Sequence, residues 1–129
     1  MTRKTVSSGS PFEDKIGFAR AVRVGKHIFV SGTAPLTEEG KSACHGDAYG
    51  QTKRCLEIIE NAIKEAGGTI EDVVRTRLYL SDINRWQECT KAHAEVFKDI
   101  KPASTVIEVS HFIKSEWLVE IEAECIVED

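Results

Sequence analysis

The chain has 129 residues, 41% of them apolar and 29% charged, with a net charge of −4. That length is enough for one hydrophobic core without covalent staples, and the balance is ordinary globular usage, which excludes collagenous, disordered and membrane-embedded classes. The acidic excess offers no basic footprint for phosphate backbones, so nucleic acid is disfavoured as a partner.

Residues 1–14 are polar, with Ser7, Ser8, Gly9, Ser10 and Pro11 in succession, a composition that predicts a loosely docked N-terminal arm before a domain over 15–129. The opening MTRKTVSSGS lacks the apolar segment of a secretory signal, and no run reaches the length of a membrane span; the expectation is a cytoplasmic protein. Phe18 to Val24 alternates apolar and polar residues, Gly25-Lys26 turns, and His27 to Val30 resumes, which predicts a β-hairpin. Thr37 to Gly46 has no period and reads as a surface loop.

Asp47 is a candidate helix cap. From Thr52, residues Cys55, Leu56, Ile59, Ala62, Ile63 and Ala66 recur at helical spacing, predicting an amphipathic helix stopped by Gly67-Gly68. Thr69 to Asp72 resembles a one-turn cap, and Val73 to Leu80 then alternates as a strand. Alternation puts Val74, Thr76, Leu78 and Leu80 on one face and Val73, Arg75, Arg77 and Tyr79 on the other, so two neighbouring cations there need partners. A second helix runs from Asp82 or Asn84 through Phe97, with Trp86, Cys89, His93, Val96 and Phe97 near one face. Strands are expected over Thr105 to Val109 and Trp117 to Val127; in the latter Glu120, Glu122 and Glu124 share a side that cannot be core.

The order β-β-α-β-α-β-β predicts an α+β sandwich with two helices on one face of a mixed sheet. The other face mixes apolar residues with Arg75, Arg77 and Glu120, and too much of it would stay exposed in a monomer, so a homo-oligomer is expected to cover it. Cys44, Cys55, Cys89 and Cys125 are too scattered for a zinc site and read as structural thiols; Cys44-His45, the one adjacent pair, is poorly arranged for a thiolate and its base. No metal ligand set is assigned, and no P-loop, GxSxG or HExxH motif is present.

Three separated blocks, IGFARAVRVGKHIFVSGTAP, VVRTRLYLSDI and PASTVIEVS followed by LVEIEAECIV, resemble the Rid or YjgF family, also labelled L-PSP endoribonuclease. The resemblance runs from Ile16 onward and implies a chorismate-mutase-like fold in a homotrimeric barrel, with small metabolites bound in inter-subunit clefts and no cofactor. Its archetypal members hydrolyse reactive enamines and imines to carbonyl products and ammonia. In those members an arginine follows the Pro-Ala of the third block and forks onto the substrate carboxylate; here that place is taken by Ser104. The family's cleft tyrosine corresponds to Phe18, its helix asparagine to Lys91 and its cysteine to Val106, while the glutamate carries over as Glu120.

Those correspondences leave Glu120 to hold or polarise a water and Thr105, with Ser104, to orient it. Arg20, Arg77 or Lys91 would supply a cation, and Phe18 and Trp86 would line an apolar pocket for a less charged ligand. Each residue also has a structural reading: Glu120 as half of an ion pair, the cations as solvated or paired groups, Trp86 as core, His93 as a helix-face or interface histidine. Three functions follow as expectations: an imine or enamine hydrolase of altered substrate range, a non-catalytic trimer that binds metabolites or partner proteins, or a ribonuclease. The last lacks the basic, aromatic groove that RNA needs.

Overall fold

The computed structural model describes residues 2–128, so Met1 of the expected arm and Asp129 of the expected domain lie outside the described residues. Six strands form one mixed sheet: β1 (Arg3–Val6), β2 (Ala21–Val24), β3 (His27–Thr33), β4 (Val73–Leu80), β5 (Ala103–Glu108) and β6 (Val119–Ile126), in the order β1-β2-β3-β6-β4-β5. All neighbours are antiparallel except β4 and β5, which are parallel and joined through a helical crossover. The helices are α1 (Pro11–Ile16), α2 (Ala48–Glu65) and α3 (Trp86–Phe97). The protein is therefore α+β, with α2 and α3 packed on the sheet as the helical periodicity predicts.

The Asp47 side chain accepts from the Gly50 backbone amide and caps α2 four residues ahead of the expected start at Thr52. Its apolar stripe, Cys55, Leu56, Ile59, Ala62 and Ile63, is buried against Ile28, Leu78, Val119 and Ile121 of the sheet. Leu56, Ile59 and Ile63 each contribute about 1.5–3 kcal/mol by leaving water, the smaller Cys55 and Ala62 less. Gly67 takes φ +89°, and its amide and that of Gly68 close onto Lys64 and Ile63 carbonyls, ending the helix as the paired glycines predict.

The N-terminal segment departs from the loose arm expected of residues 1–14. Residues 3–6 pair in register with β2, Arg3 opposite Val24 and Val6 opposite Ala21. Ser10 caps α1, Pro11 fills the first helical position, and Gly17 ends the helix at φ +93°. Glu13 is buried and holds the serine-rich turn, accepting from Ser7 Oγ at 2.8 Å, Ser8 Oγ at 2.6 Å and the Ser8 amide at 3.1 Å. Composition suggested a flexible arm because serine and glycine are common in loops; a buried carboxylate gathers these particular serines instead.

Other differences are local. The second strand starts at Ala21 rather than Phe18, and the last at Val119 rather than Trp117. In β4 a register shift between Val73 and Arg75 makes Val74 an extra residue, so Val73 is core while Val74 is exposed, the reverse of simple alternation. A 3₁₀ turn over Ile83–Arg85 precedes α3 and rotates its start, leaving Trp86 48% exposed and Val96 at the surface, while Cys89, Ala92 and Phe97 are buried.

Both cations of β4 stand opposite carboxylates of β6, and of the two only Arg77 forms an ion pair among the described residues. Arg75 stands opposite Glu124 and Arg77 opposite Glu122; Arg77 also donates diagonally to Glu124 at 2.9 Å, and the Tyr79 hydroxyl donates to Glu122. Phe29, Ile107 and Ile126 are exposed on this same outer face. Among the described residues no helix is long and apolar enough to cross a membrane.

Candidate functional site

Glu120 is the second residue of β6, on the outer face of the sheet opposite Tyr79 and next to Ile121, which pairs with Thr33 at the end of β3. Between Val30 and Thr33 the β3–β6 register breaks, and Ser31 and Gly32 leave the regular ladder. Gly32 lets the backbone approach the carboxylate closely: a Cβ on it would lie 3.1 Å from Glu120 Oε1, so the carboxylate would have to shift. The Ser31 hydroxyl donates to the Ala19 carbonyl at 2.7 Å, and the Ser31 amide to the Arg20 carbonyl at 2.9 Å, which ties the segment carrying Phe18 and Arg20 to the break.

Glu120 therefore faces a cavity of about 210 Å³, walled by Phe12, Phe18, Arg20, Gly32, Trp117 and Ile113 among others. Trp117 meets Phe12 edge-on, ring centroids 5.6 Å apart, and its indole donates to Ser42 Oγ at 3.0 Å, so the back wall is rigid and apolar. Burial pushes the Glu120 carboxyl above the usual carboxylate range; the Arg20 charge opposes that and the Glu122 charge adds to it.

Arg20 is 4% exposed and spends its donors on the protein. It gives hydrogen bonds to the Gly32 carbonyl at 2.8 Å, Thr33 Oγ1 at 3.1 Å and Ser8 Oγ at 3.3 Å, lies 3.6 Å from Glu13, and sits over the Phe18 ring at 5.1 Å. Burial lowers its pKa, while the Glu13 and Glu120 charges oppose the change. Burial alone would raise the Glu13 carboxyl, but the hydrogen bonds from Ser8 and Ser7 and the Arg20 charge hold it below its ordinary value. A second cavity, about 230 Å³, lies behind Arg20 against α2 and is lined by Ser8, Ser10, Arg54 and Glu65. It is the larger of the two, yet it contains no expected site residue except Arg20, so the chemistry is assigned to the Glu120 cavity.

Of the residues singled out in the sequence, the chain thus brings together Phe18, Arg20 and Glu120. Ser104, Thr105 and Val106 are on β5, the far edge, two strands and so about 10 Å across the sheet from β6, and one to three residues along from Ile107, which is level with Glu120. Ser104 and Val106 pair with Thr76 and Leu78 and share their helix-side face, whereas Thr105 pairs with Arg77 on the outer face. Arg77 is engaged by Glu122 and Glu124, and Lys91 lies over the Tyr49 ring at 5.4 Å. Neither of them, nor Trp86, lines the cavity, and Trp86 is neither core nor pocket wall. In this cavity Phe18 is joined by Phe12 and Trp117. Phe12 follows a Ser-Pro helix start that the sequence displayed; nothing in the sequence placed Trp117 beside it.

Among the described residues no group of three or more His, Cys, Asp or Glu side chains is placed to hold a metal ion. All four cysteines are free thiols, and Cys55, Cys89 and Cys125 are buried, with burial raising the pKa of each and that of Cys125 to about 12. They are inert packing groups.

The family model described as Endoribonuclease L-PSP matches residues 11–127. An uncharacterized protein of Streptomyces coelicolor is 39% identical over 121 residues, covering 94% of this chain and 90% of that protein. A RutC family protein of Pyrococcus abyssi is 38% identical over 106 residues, covering 82% of this chain and 83% of its own. Among solved structures, a member of the YjgF/YER057c/UK114 family from Mycobacterium tuberculosis superposes with a TM-score of 0.89 at 43% identity, covering 98% of this chain and 100% of that one. The YjgF gene product of E. coli, 24% identical, shares the fold with a TM-score of 0.83 over 97% of this chain and 99% of its own. The chain belongs to the YjgF/Rid family, the family of endoribonuclease L-PSP.

Proposed function

We propose that this protein is a cytoplasmic homotrimer that hydrolyses small imines or enamines to a carbonyl product and ammonia, in clefts where the Glu120 cavity of one subunit meets the β5 edge of the next. One observation carries the reading: a carboxyl group whose pKa is raised by burial faces a cavity of metabolite size beside a cation already held by the protein. Hydrolysis of C=N needs such a group. As water adds to the imine carbon it loses a proton to Glu120, which hands it to the nitrogen; as the carbinolamine collapses, its hydroxyl proton passes to the departing ammonia and leaves C=O. The exposed apolar groups Phe29 and Ile107 on the outer face, and the separation of Ser104 from Glu120 within one subunit, support assembly around that face.

The substrate is less charged than a 2-imino acid. A carboxylate needs a free forked donor, and Arg20 and Arg77 are both committed to protein acceptors, while Ser104 offers only a neutral hydroxyl. A ribonuclease reading gains nothing from this cavity, whose one cation is saturated and which has no histidine in its wall. The test is release of ammonia and carbonyl product from freshly generated imines, one bearing a carboxylate and one its neutral amide. The wild type is expected to prefer the amide, Glu120→Gln to lose on the order of 10² or more in kcat, and Ser104→Arg to shift preference toward the carboxylate. Full activity in Glu120→Gln refutes the role of Glu120. A ligand that raises Tm with no ammonia released identifies a binding protein instead.

A further inference from the structure

Ser104 is not an isolated hydroxyl. Because β4 and β5 run parallel with Thr76 opposite Ser104, the two side chains emerge on the same face, and Thr76 Oγ1 donates to Ser104 Oγ at 2.8 Å. Thr76 is fully buried, and its oxygen is also 2.8 Å from His93 Nε2, on the middle of α3. The imidazole is held in turn against the Phe97 ring, with centroids 4.6 Å apart. An exposed hydroxyl is therefore wired through a buried one to a half-buried imidazole.

We propose that Ser104, Thr76 and His93 form a proton relay that opens onto the cleft at Ser104, so that the residue in the place of the family's arginine moves protons instead of gripping a carboxylate. This rests on the reading of the cleft as a site of imine hydrolysis. A threonine hydroxyl carries one proton, so the chain has two polarities. With Nε2–H present, His93 donates to Thr76, Thr76 to Ser104, and Ser104 presents its proton outward. With Nε2 bare, Ser104 donates to Thr76, Thr76 to His93, and Ser104 presents a lone pair. Uptake moves a proton from the carbinolamine hydroxyl to Ser104 Oγ, that of Ser104 to Thr76, and that of Thr76 to Nε2. The reverse passage delivers one to the leaving nitrogen. No bond to the protein forms and no redox partner is needed.

The surroundings suit the role. Burial depresses the His93 pKa, and no charged neighbour contributes to the shift. On β4 the cations Arg75 and Arg77 belong to the outer face with Glu122 and Glu124. On α2 the Tyr49 hydroxyl donates to Glu95, and on α3 itself Lys91 lies over Tyr49 while Cys89 is buried. Burial thus favours the neutral imidazole, which accepts through Nε2 in its Nδ1–H tautomer, and its cation gives the proton back readily.

The experiment is NMR titration of His93 in the wild type, Thr76→Val and Ser104→Ala, run beside the pH dependence of kcat. In the wild type the Ser104 Cβ resonance is expected to follow the His93 titration with the same midpoint, and in Thr76→Val, which keeps the shape and removes the hydroxyl, to stop following it. In turnover, Thr76→Val and His93→Gln are expected to lose about 10- to 100-fold in kcat with KM little changed, and to lose the pH limb that tracks His93. If Ser104 does not report the His93 titration, or reports it equally in Thr76→Val, the relay is overturned. It is overturned as well if the loss falls on KM alone. Absence of turnover with every imine sinks the hydrolase reading, while the NMR arm still decides whether the relay exists.

Discussion

Replacing Arg20 by methionine tests the region around the site at its most heavily used side chain. The substitution keeps most of the apolar stem but removes the counter-charge of Glu13, whose side chain is 6% exposed, and the donors to the Gly32 carbonyl and Thr33 Oγ1. Breaking one side of a buried pair costs about 3–5 kcal/mol, because the surviving charge stays behind unpaired. Glu13 retains three hydrogen bonds from Ser7 and Ser8, which puts the expected cost near the lower end, about 3 kcal/mol. For a chain of this size that is a fall in Tm of about 10 °C. The pH dependence has a definite sign: Glu13 is held below its ordinary pKa, so its contribution is present above the unfolded-state value and disappears as pH falls through the folded one. Urea unfolding at pH 7 and at pH 3.5 measures both effects. Arg20→Met is expected to cost about 3 kcal/mol at pH 7 and markedly less at pH 3.5, and Glu13→Gln/Arg20→Met to cost less than the sum of the single changes. A cost below about 1 kcal/mol at pH 7, or strict additivity, would mean that the pair is not the keystone described above.

Two further outcomes follow from the same region. Gly32→Ala adds a methyl group 3.1 Å from Glu120 Oε1, and the carboxylate end of that side chain is the part able to give; thermal denaturation is expected to change by less than about 1 kcal/mol while kcat falls, and a variant with unaltered kcat would show that the carboxylate position is not critical. Glu120 has a folded pKa above its unfolded one, so its contribution to stability is present below the unfolded value and lost as pH rises through the folded value. Glu120→Gln is therefore expected to raise Tm at pH 8 and leave it nearly unchanged at pH 4, with an equal shift at both values counting against the buried-carboxyl assignment.

How far the sequence alone reached depended on the range of the interactions. The stripe of α2 and the alternation of β6 are written in short periods, and both appeared where those periods placed them. Asp47 and Gly67-Gly68 act within a single turn, so their roles were equally plain. The strand β1 was hidden because three polar residues and one valine become a strand only by pairing with β2. The Val74 bulge was hidden because its cause lies on β6, about fifty residues later. In the site, Glu120, Phe18 and Arg20 were legible as residues, but the cavity that unites them depends on Phe12 and Trp117 meeting from opposite ends of the chain. His93 looked like an ordinary helix-face group, since its link to Ser104 exists only once β4 and β5 lie in parallel register. The Ser10-Pro11 and Glu13 spacing, by contrast, was a helix-start signal that could have been read.

The two margins of the sheet are built unequally. At one, β1 is four residues long and begins Arg3-Lys4, both exposed, a short charged border that discourages another strand from adding to it. At the other, β5 reads ASTVIE, six residues without lysine or proline, with Ile107 45% exposed beside the open backbone groups. A border of that kind is an invitation to add a strand, and its only charge, Glu108, is occupied at the far end by the Ile83 amide. Chains whose β5 is left uncovered are thus most exposed to sticking together along that strand, the same margin that carries Ser104.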